Sequence, residues 1–178
     1  MYIYIGEYAY MRSTKYDDNF KEMSQVVAKL SKDTSTKLGA IIVNSDNVIQ
    51  SIGYNGLPRG VDDKNPERYE RPLKYKWFEH AERNAIYNFA RQYLKGSSIH
   101  LTWIPCTDCA RGIIQTGIST IIISETEVQE RWREDFLQSL IMLKEAKVKV
   151  CMQNSEEDIV KDLIIKLSGE KVEASKVC

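Results

Sequence analysis

The second half of the chain alternates short β-branched runs with stretches of helical periodicity, and this alternation restricts the possible folds more than any other feature. Strands are predicted at 98–104, 119–124 and 148–152, and helices at 105–117, 127–146 and 155–167. Because each strand is followed by a helix long enough to return the chain to the same sheet, the pattern predicts an α/β fold.

The first half adds a helix at 17–30, a hairpin within 38–56 and a helix at 80–95. Between them, residues 57–76 contain three prolines and show no periodicity, which predicts a long loop of the kind that is usually functional or mobile.

No repeat or linker divides the chain, so we expect a single domain over 1–178, with 1–16 as an N-terminal extension. The expected architecture has three α-β-α layers. A central mixed sheet of about five strands carries helices on both faces.

Composition excludes several classes of protein. Lysine plus arginine total 25, as do aspartate plus glutamate, so the chain lacks the basic character expected of a partner for a nucleic acid polymer. No apolar run approaches the length of a membrane span, and the N-terminus does not resemble a secretory signal. Four cysteines in 178 residues do not suggest a disulfide framework. We expect a cytoplasmic protein.

The segment "PCTDC" places Cys106 and Cys109 three residues apart in the first turn of a predicted helix. Free backbone N–H groups and the helix dipole favour thiolates there, as a metal site or a redox pair requires. The other two cysteines are poor partners, because Cys151 lies in an apolar strand and Cys178 ends the chain. A closed four-cysteine site is therefore disfavoured.

The two histidines differ in context. His100 lies in an apolar strand, where a packed side chain is the simpler interpretation, whereas His80 opens the predicted helix "HAERNAIYNFARQY". Two residues later, Glu82 falls on the helical stripe that should face the core. An acid at a helix start is ordinary on an exposed face, but a carboxylate that faces inward needs a partner or a task.

His80, Cys106 and Cys109 together are three ligands of the types that zinc prefers, and the sequence offers no good fourth. Three protein ligands are typical of catalytic zinc sites, which keep a position open for water. Glu82 would then act as the general acid/base that moves the protons. The pattern predicts a hydrolytic enzyme.

H-x-E followed by P-C-x-x-C is the signature of zinc-dependent deaminases. Between about Ser31 and Ile123 the chain resembles the deoxycytidylate (dCMP) deaminase family, on "SKDTSTKLGAIIV", "GYNGLPRG", "KY", "HAERNAI" and "PCTDCARGIIQTGI". The resemblance implies a cytidine-deaminase-like fold with one zinc per subunit. It also implies deamination of dCMP to dUMP and ammonia, which supplies dUMP for dTMP synthesis.

The resemblance also implies further sites. Asn44 matches an asparagine that bonds the sugar 3′-hydroxyl in related deaminases. Other residues near the motifs are candidates for the substrate or its phosphate: Ala81, Tyr75, Lys32 and Arg111. A separate regulatory site, where dCTP with Mg²⁺ activates and dTTP inhibits, is associated with "GYNG", here Gly53, Tyr54, Asn55 and Gly56. Family members are typically homo-hexamers.

Two departures from the family pattern are Thr34, where proline is usual, and Glu79, which adds a negative charge beside His80. Three alternatives stay open. One is a deaminase of another cytosine nucleotide such as dCTP, and another is a tRNA adenosine deaminase-like enzyme, although the latter lacks "GYNG". The third is a non-catalytic nucleotide sensor or zinc-stabilised scaffold, for which Glu82 would have no use.

Overall fold

The computed structural model describes residues 13–169, in which five short strands form one mixed sheet. The strands are β1 (Gly39–Val43), β2 (Ile49–Tyr54), β3 (Ser98–Leu101), β4 (Thr120–Ile123) and β5 (Lys149–Met152). Their order across the sheet is β2-β1-β3-β4-β5. β1 runs antiparallel to β2 and β3, whereas β3, β4 and β5 run parallel to one another.

Six α-helices pack around this sheet within the described residues. They are α1 (Asp17–Ala28), α2 (Lys74–Trp77), α3 (Ala81–Tyr87), α4 (Thr107–Thr116), α5 (Arg133–Glu145) and α6 (Val160–Ser168). Helix α1 covers one face, where Phe20 and Val27 pack on Ile41 and Val43. The larger core lies on the other face, beneath α3, α4, α5 and α6. The predicted α/β class, with helices on both faces of a mixed sheet, is confirmed.

Part of the predicted domain organisation lies outside the described residues. Of the N-terminal extension predicted at 1–16, only residues 13–16 are described, and Cys178 also falls outside the range. Within 13–169, no helix has both the length and the apolar character needed to span a membrane.

The helix predicted at 80–95 is shorter than expected. Helix α3 ends at Tyr87, and the chain turns through a separate 3-10 segment, Arg91–Tyr93, before Leu94 enters the core. The amide of Asn88 donates to the Ile52 carbonyl of β2, which ties the helix end to the sheet edge. Tyr93, which a helix continued to residue 95 would place on the same stripe as Ile86 and Phe89, is consequently 62% exposed.

The loop predicted at 57–76 contains more local structure than its sequence suggests. A 3-10 turn spans Pro66–Tyr69, with the Asn65 side chain accepting from the backbone N–H of Glu67 at 3.0 Å. Helix α2 begins inside the predicted loop at Lys74. The segment therefore brings side chains to fixed positions at the site.

Candidate active site

The three predicted zinc ligands come from the starts of two neighbouring helices. His80 is the N-cap residue of α3, Cys106 is the N-cap residue of α4, and Cys109 is the third residue of α4. Pro105 precedes the cap rather than occupying the first helical position, which corrects the sequence prediction by two residues. Because α3 packs against α4, the two helix starts meet.

The geometry of these three side chains, the zinc-donor set, fits a tetrahedral zinc ion. The His80 Nδ1 lies 3.4 Å from the Cys106 Sγ and 3.5 Å from the Cys109 Sγ. Ordinary zinc–nitrogen and zinc–sulfur bonds at tetrahedral angles place N and S about 3.6 Å apart. In the described part of the chain these three form the one group of clustered metal ligands, with ligand atoms within 4.8 Å of one another. Cys109 is buried, whereas His80 stays accessible.

The three residues of the zinc-donor set shift one another's pKa values in different directions. The Cys109 thiol donates a hydrogen bond to Cys106, and this bond lowers the pKa of Cys106 to about 4. The neighbouring His80 lowers it further, whereas burial acts in the opposite direction. The bond with Cys106 raises the pKa of His80 to about 9, although burial acts in the other direction. Donation to Cys106 and burial raise the pKa of Cys109. Because zinc binds thiolates and neutral imidazole, metal binding to this set must release protons.

Glu82 lies two residues beyond His80 and lines the same cavity. Burial of its carboxyl raises the pKa, while the neighbouring His80 charge lowers it, and the net direction is upward. A raised pKa makes a carboxylate a better proton acceptor, and a general acid/base must both take and give a proton.

The cavity beside the zinc-donor set has a volume of about 460 Å³, enough for a nucleotide-sized ligand. Ala81 and Tyr75, two of the predicted substrate contacts, line it together with aromatic side chains that include Phe78, Trp103 and Trp132. The Trp103 indole N–H donates to Glu125 at 2.6 Å, which fixes the ring.

A buried ion pair builds one wall of this cavity. The Lys74 ammonium lies 2.5 Å from the Asp33 carboxylate, with the two side chains 8% and 1% exposed. Asp33 also accepts from the backbone N–H groups of Ser35 and Thr36 at 2.8 and 3.1 Å. The turn at Thr34 is thus held by the carboxylate without the proline that the family pattern has. The pair fastens the 31–38 segment to α2.

Asn55 of the "GYNG" segment belongs to the same wall. The Asn55 amide donates to Asp33 at 2.9 Å and to the Thr36 carbonyl at 2.8 Å, and its oxygen accepts from Leu38 N–H. Asn55 lines the cavity that holds the zinc-donor set. Gly53 permits close approach, since a Cβ there would overlap the backbone of Ala81 and Ala85 in α3.

Three residues predicted to contact substrate are not brought to the cavity, and those predictions need correction. Asn44 follows β1 at the strand end opposite Gly39, which lines the cavity, and its side-chain oxygen accepts from the backbone N–H groups of Asp46 and Val48. Asn44 thus shapes the hairpin turn. Lys32 is an exposed partner of Asp63, and Arg111 is an exposed partner of Asp108. Each of these cations is engaged with a neighbouring acid away from the cavity lining.

Four other side chains that line the cavity form an arginine–aromatic cluster that sequence reasoning did not assemble. Tyr75 packs edge-on against Trp132 with ring centroids 5.5 Å apart. The Arg71 guanidinium lies 5.8 Å from the Tyr75 ring, and that of Arg131 lies 5.4 Å from the Trp132 ring. Neither arginine forms an ion pair within residues 13–169. Only their basic character and, for Arg71, its place in the predicted loop could have drawn attention to them.

The unusual Glu79 has a local partner. Its carboxylate accepts from the Arg83 side chain and, at 3.1 Å, from the backbone N–H of His80. Arg83 also lies 3.3 Å from Asp108 of α4. The added negative charge is therefore balanced, and Arg83 links the two helix starts that carry the zinc-donor set.

A five-stranded mixed sheet with a His–Cys–Cys set at two helix starts, beside a carboxyl in the same cavity, defines the zinc-dependent deaminase class. Residues 14–125 match the family model described as the cytidine and deoxycytidylate deaminase zinc-binding region, and the chain belongs to this family.

Individual relatives agree with this assignment. The chain is 40% identical over 139 residues to a protein of Aliivibrio fischeri described as an uncharacterized deaminase in the luxG 3′ region, covering 77% of this chain and 92% of that protein. It is 41% identical over 113 residues to the deoxycytidylate deaminase of Pongo abelii, covering 61% of this chain and 64% of that protein. The match thus spans just under two thirds of the latter relative.

Among solved structures, the dCMP deaminase of cyanophage S-TIM5 shares the fold. Its apo form superposes with a TM-score of 0.60 at 23% identity, covering 79% of this chain and 98% of that one. Its complex with dCMP and dUMP gives a TM-score of 0.56 at 26% identity, covering 77% and 93%.

Proposed function

We propose that the chain hydrolyses dCMP to dUMP and ammonia. The observation that carries this proposal is the position of Glu82, whose carboxyl lines the same nucleotide-sized cavity as the zinc-donor set. The named relatives support the choice of substrate, since deoxycytidylate deaminases occur among them and the phage protein was solved with dCMP and dUMP. The dUMP formed would then be available for dTMP synthesis.

His80, Cys106 and Cys109 would hold the zinc, which when bound lowers the pKa of a water and provides a nucleophile near neutral pH. Glu82 would take one proton of that water and deliver it to N3 of the cytosine ring as the water oxygen bonds to C4. It would then take the remaining proton of that oxygen and deliver it to the amine, so that the C4–N bond breaks, ammonia leaves and C4=O forms. The raised pKa of Glu82 suits a group that must accept and release a proton in each cycle. Ala81 and the cavity aromatics would hold the base against this carboxyl.

The arginine–aromatic cluster is our candidate for recognising the 5′-phosphate. Arg71 and Arg131 are exposed at the cavity and have no carboxylate partner among residues 13–169, so their guanidinium groups suit an anion. Lys74 is a weaker candidate, because Asp33 already neutralises it. Tyr75 stays a predicted substrate contact through its place in the cluster.

Regulation by dCTP with Mg²⁺ and by dTTP, and assembly into a homo-hexamer, are further proposals that rest on the family resemblance. Within "GYNG", Asn55 is part of the catalytic cavity wall and Gly53 is fixed against α3, whereas Tyr54 is 40% exposed. Tyr54→Ala therefore separates regulation from catalysis better than a change at Asn55. A variant with unchanged basal turnover and a blunted response to both nucleotides would support a regulatory site. Equal responses in variant and wild type would exclude Tyr54 from it.

The experiment that tests the proposed function is ammonia release by the zinc-loaded protein from dCMP, dCTP, deoxycytidine and cytidine. Each substrate is tested alone and then in the presence of dCTP-magnesium or dTTP, which tests whether these nucleotides act as effectors. Selective turnover of dCMP is expected. Deamination of dCTP itself would move the assignment to another cytosine nucleotide, and no turnover of any of the four would overturn it.

A further inference from the structure

Helix α5 contacts the zinc-binding turn from outside through two side chains. Asp135 lies in the first turn of α5, and Ser139 lies one helical turn later on the same face. Neither residue lines the cavity, neither belongs to the zinc-donor set, and neither falls within residues 14–125 that match the family model.

The contacts of these two residues fall on either side of Cys106. The Asp135 carboxylate accepts from the backbone N–H of Thr107 at 3.1 Å and from its hydroxyl at 2.6 Å. The Ser139 hydroxyl, which is fully buried, donates to the Pro105 carbonyl at 2.7 Å. The peptide units before and after Cys106 are thus both anchored to one rigid helix.

These contacts supply a hydrogen-bond acceptor that the first turn of α4 does not obtain from its own N-cap side chain. An N-cap position is usually filled by Ser, Thr, Asp or Asn, whose oxygen satisfies the free N–H groups of the first helical turn. In α4 that position holds Cys106, whose side chain has no oxygen to accept these N–H groups. Asp135 supplies the acceptor from another helix, and the positive end of the α4 dipole favours a carboxylate there.

We propose that Asp135 and Ser139 are positioning residues that fix the Cys106 sulfur for zinc through hydrogen bonds to Thr107 and Pro105. Hydrogen bonds of this kind orient metal ligands, and their loss typically weakens metal affinity or activity by about 10- to 100-fold. The inference deepens the proposed function, because it concerns the same zinc site.

The test measures metal binding rather than turnover. Wild type, Asp135→Ala, Asp135→Asn and Ser139→Ala are compared by chelator competition for zinc and by the absorption spectrum of the cobalt-substituted protein, whose thiolate bands report the sulfur geometry. Two matched controls remove a similar group elsewhere. Glu134→Ala deletes the exposed neighbouring acid of α5, and Ser24→Ala deletes another buried hydroxyl that donates to a backbone carbonyl.

Asp135→Ala is expected to weaken zinc affinity by about 10- to 100-fold and to shift the cobalt bands. Ser139→Ala should cause a smaller change in the same direction, and both controls should match wild type. Asp135→Asn keeps one acceptor for the Thr107 N–H, so it should fall between wild type and Asp135→Ala.

Wild-type zinc affinity and cobalt bands in Asp135→Asn and Ser139→Ala would overturn the proposal, even if their melting temperatures fell, because a purely structural contact changes stability alone. Should Asp135→Ala fail to fold, these two milder variants decide the question. A wild-type protein that binds no zinc at all would instead overturn the proposed function, so the two failures are distinguishable.

Discussion

The zinc-donor set and the arginine–aromatic cluster line one cavity, yet they are built in different ways. The donor set comes from the starts of α3 and α4, and each ligand sits inside a short motif on a helix packed against the sheet. The cluster comes from two segments that are far apart in the chain, one at α2 and one just before α5, and three of its four residues are exposed. In the proposed function, the residues for the reaction chemistry are thus encoded locally, whereas those for substrate selection come from segments that meet only in the folded protein. Substitutions at the two places should have separable effects.

The largest effect is expected from His80→Ala, which removes one of three zinc ligands. Zinc content and dCMP turnover should both fall to background, and the melting temperature should drop, because metal binding contributes to folding free energy. Metal analysis of the purified protein and a thermal melt check this together. Normal zinc content with an unchanged melt would remove His80 from the ligand set.

A large loss of stability is expected from Lys74→Met, which leaves the Asp33 carboxylate buried without its cation. Breaking a buried pair in this way costs about 3–5 kcal/mol of unfolding free energy. The loss should appear in urea unfolding curves. The double variant Lys74→Met with Asp33→Asn should recover part of this loss, since no unpaired charge remains. If the double variant lost as much unfolding free energy as the two single variants together, this explanation would be contradicted.

The same pair predicts an acid dependence. Burial of Asp33 raises the pKa of its carboxyl, but the bond from Lys74 and the N–H groups of Ser35 and Thr36 outweigh this, so the pKa is lowered overall. A lowered pKa contributes stability above the ordinary value of about 3.9 and loses it as the pH falls through the folded-state value. Unfolding free energy of Asp33→Asn should therefore fall less steeply below about pH 4 than that of wild type. Parallel curves would show that Asp33 carries no such linkage.

An intermediate effect is expected at the arginine–aromatic cluster. Loss of a charge-assisted bond to phosphate is worth about 1.5–3 kcal/mol, so Arg71→Ala or Arg131→Ala should reduce kcat/KM for dCMP by about 10- to 100-fold. Turnover of deoxycytidine, which has no phosphate, should be unaffected. Equal losses on both substrates would mean that these arginines shape the cavity rather than bind the phosphate.

The smallest effects are expected from Lys32→Ala and Arg111→Ala. Both cations sit in exposed ion pairs away from the cavity, and such pairs often contribute nothing measurable. Steady-state kinetics with dCMP should match wild type within error. A raised KM for dCMP in either variant would restore the original sequence prediction of a phosphate contact.

The same contrast explains what the sequence could predict. His80, Glu82, Cys106 and Cys109 were identifiable because helix periodicity and ligand spacing are local properties. The arginine–aromatic cluster was not, because Tyr75 and Trp132 are distant in the chain and meet only through tertiary packing. Asn44 was misassigned because a side chain that bonds its own hairpin turn looks identical, in sequence, to one that faces a ligand.

The fold was predicted for similar reasons. The alternation of strands and helices predicted the α/β class, because a helix between two strands is visible in the sequence and is the usual connection between parallel strands. The early end of α3 was missed, since the apolar period continues to Phe89 and Tyr93 while the backbone leaves the helix at Asn88. The 3-10 turn Pro66–Tyr69 was missed although Asn65 caps it locally. The place of α2 was missed because the Lys74–Asp33 pair, which holds Lys74 at the cavity, joins distant segments.

The central claim is that a zinc site and Glu82 act together, and Glu82→Gln tests it most directly. This variant keeps the shape of the side chain and all three zinc ligands but cannot transfer a proton. We predict full zinc content with dCMP turnover reduced by about 10²- to 10⁴-fold, while Glu145→Gln, at the exposed end of α5, behaves as wild type. Full zinc content with wild-type turnover in Glu82→Gln would contradict the account.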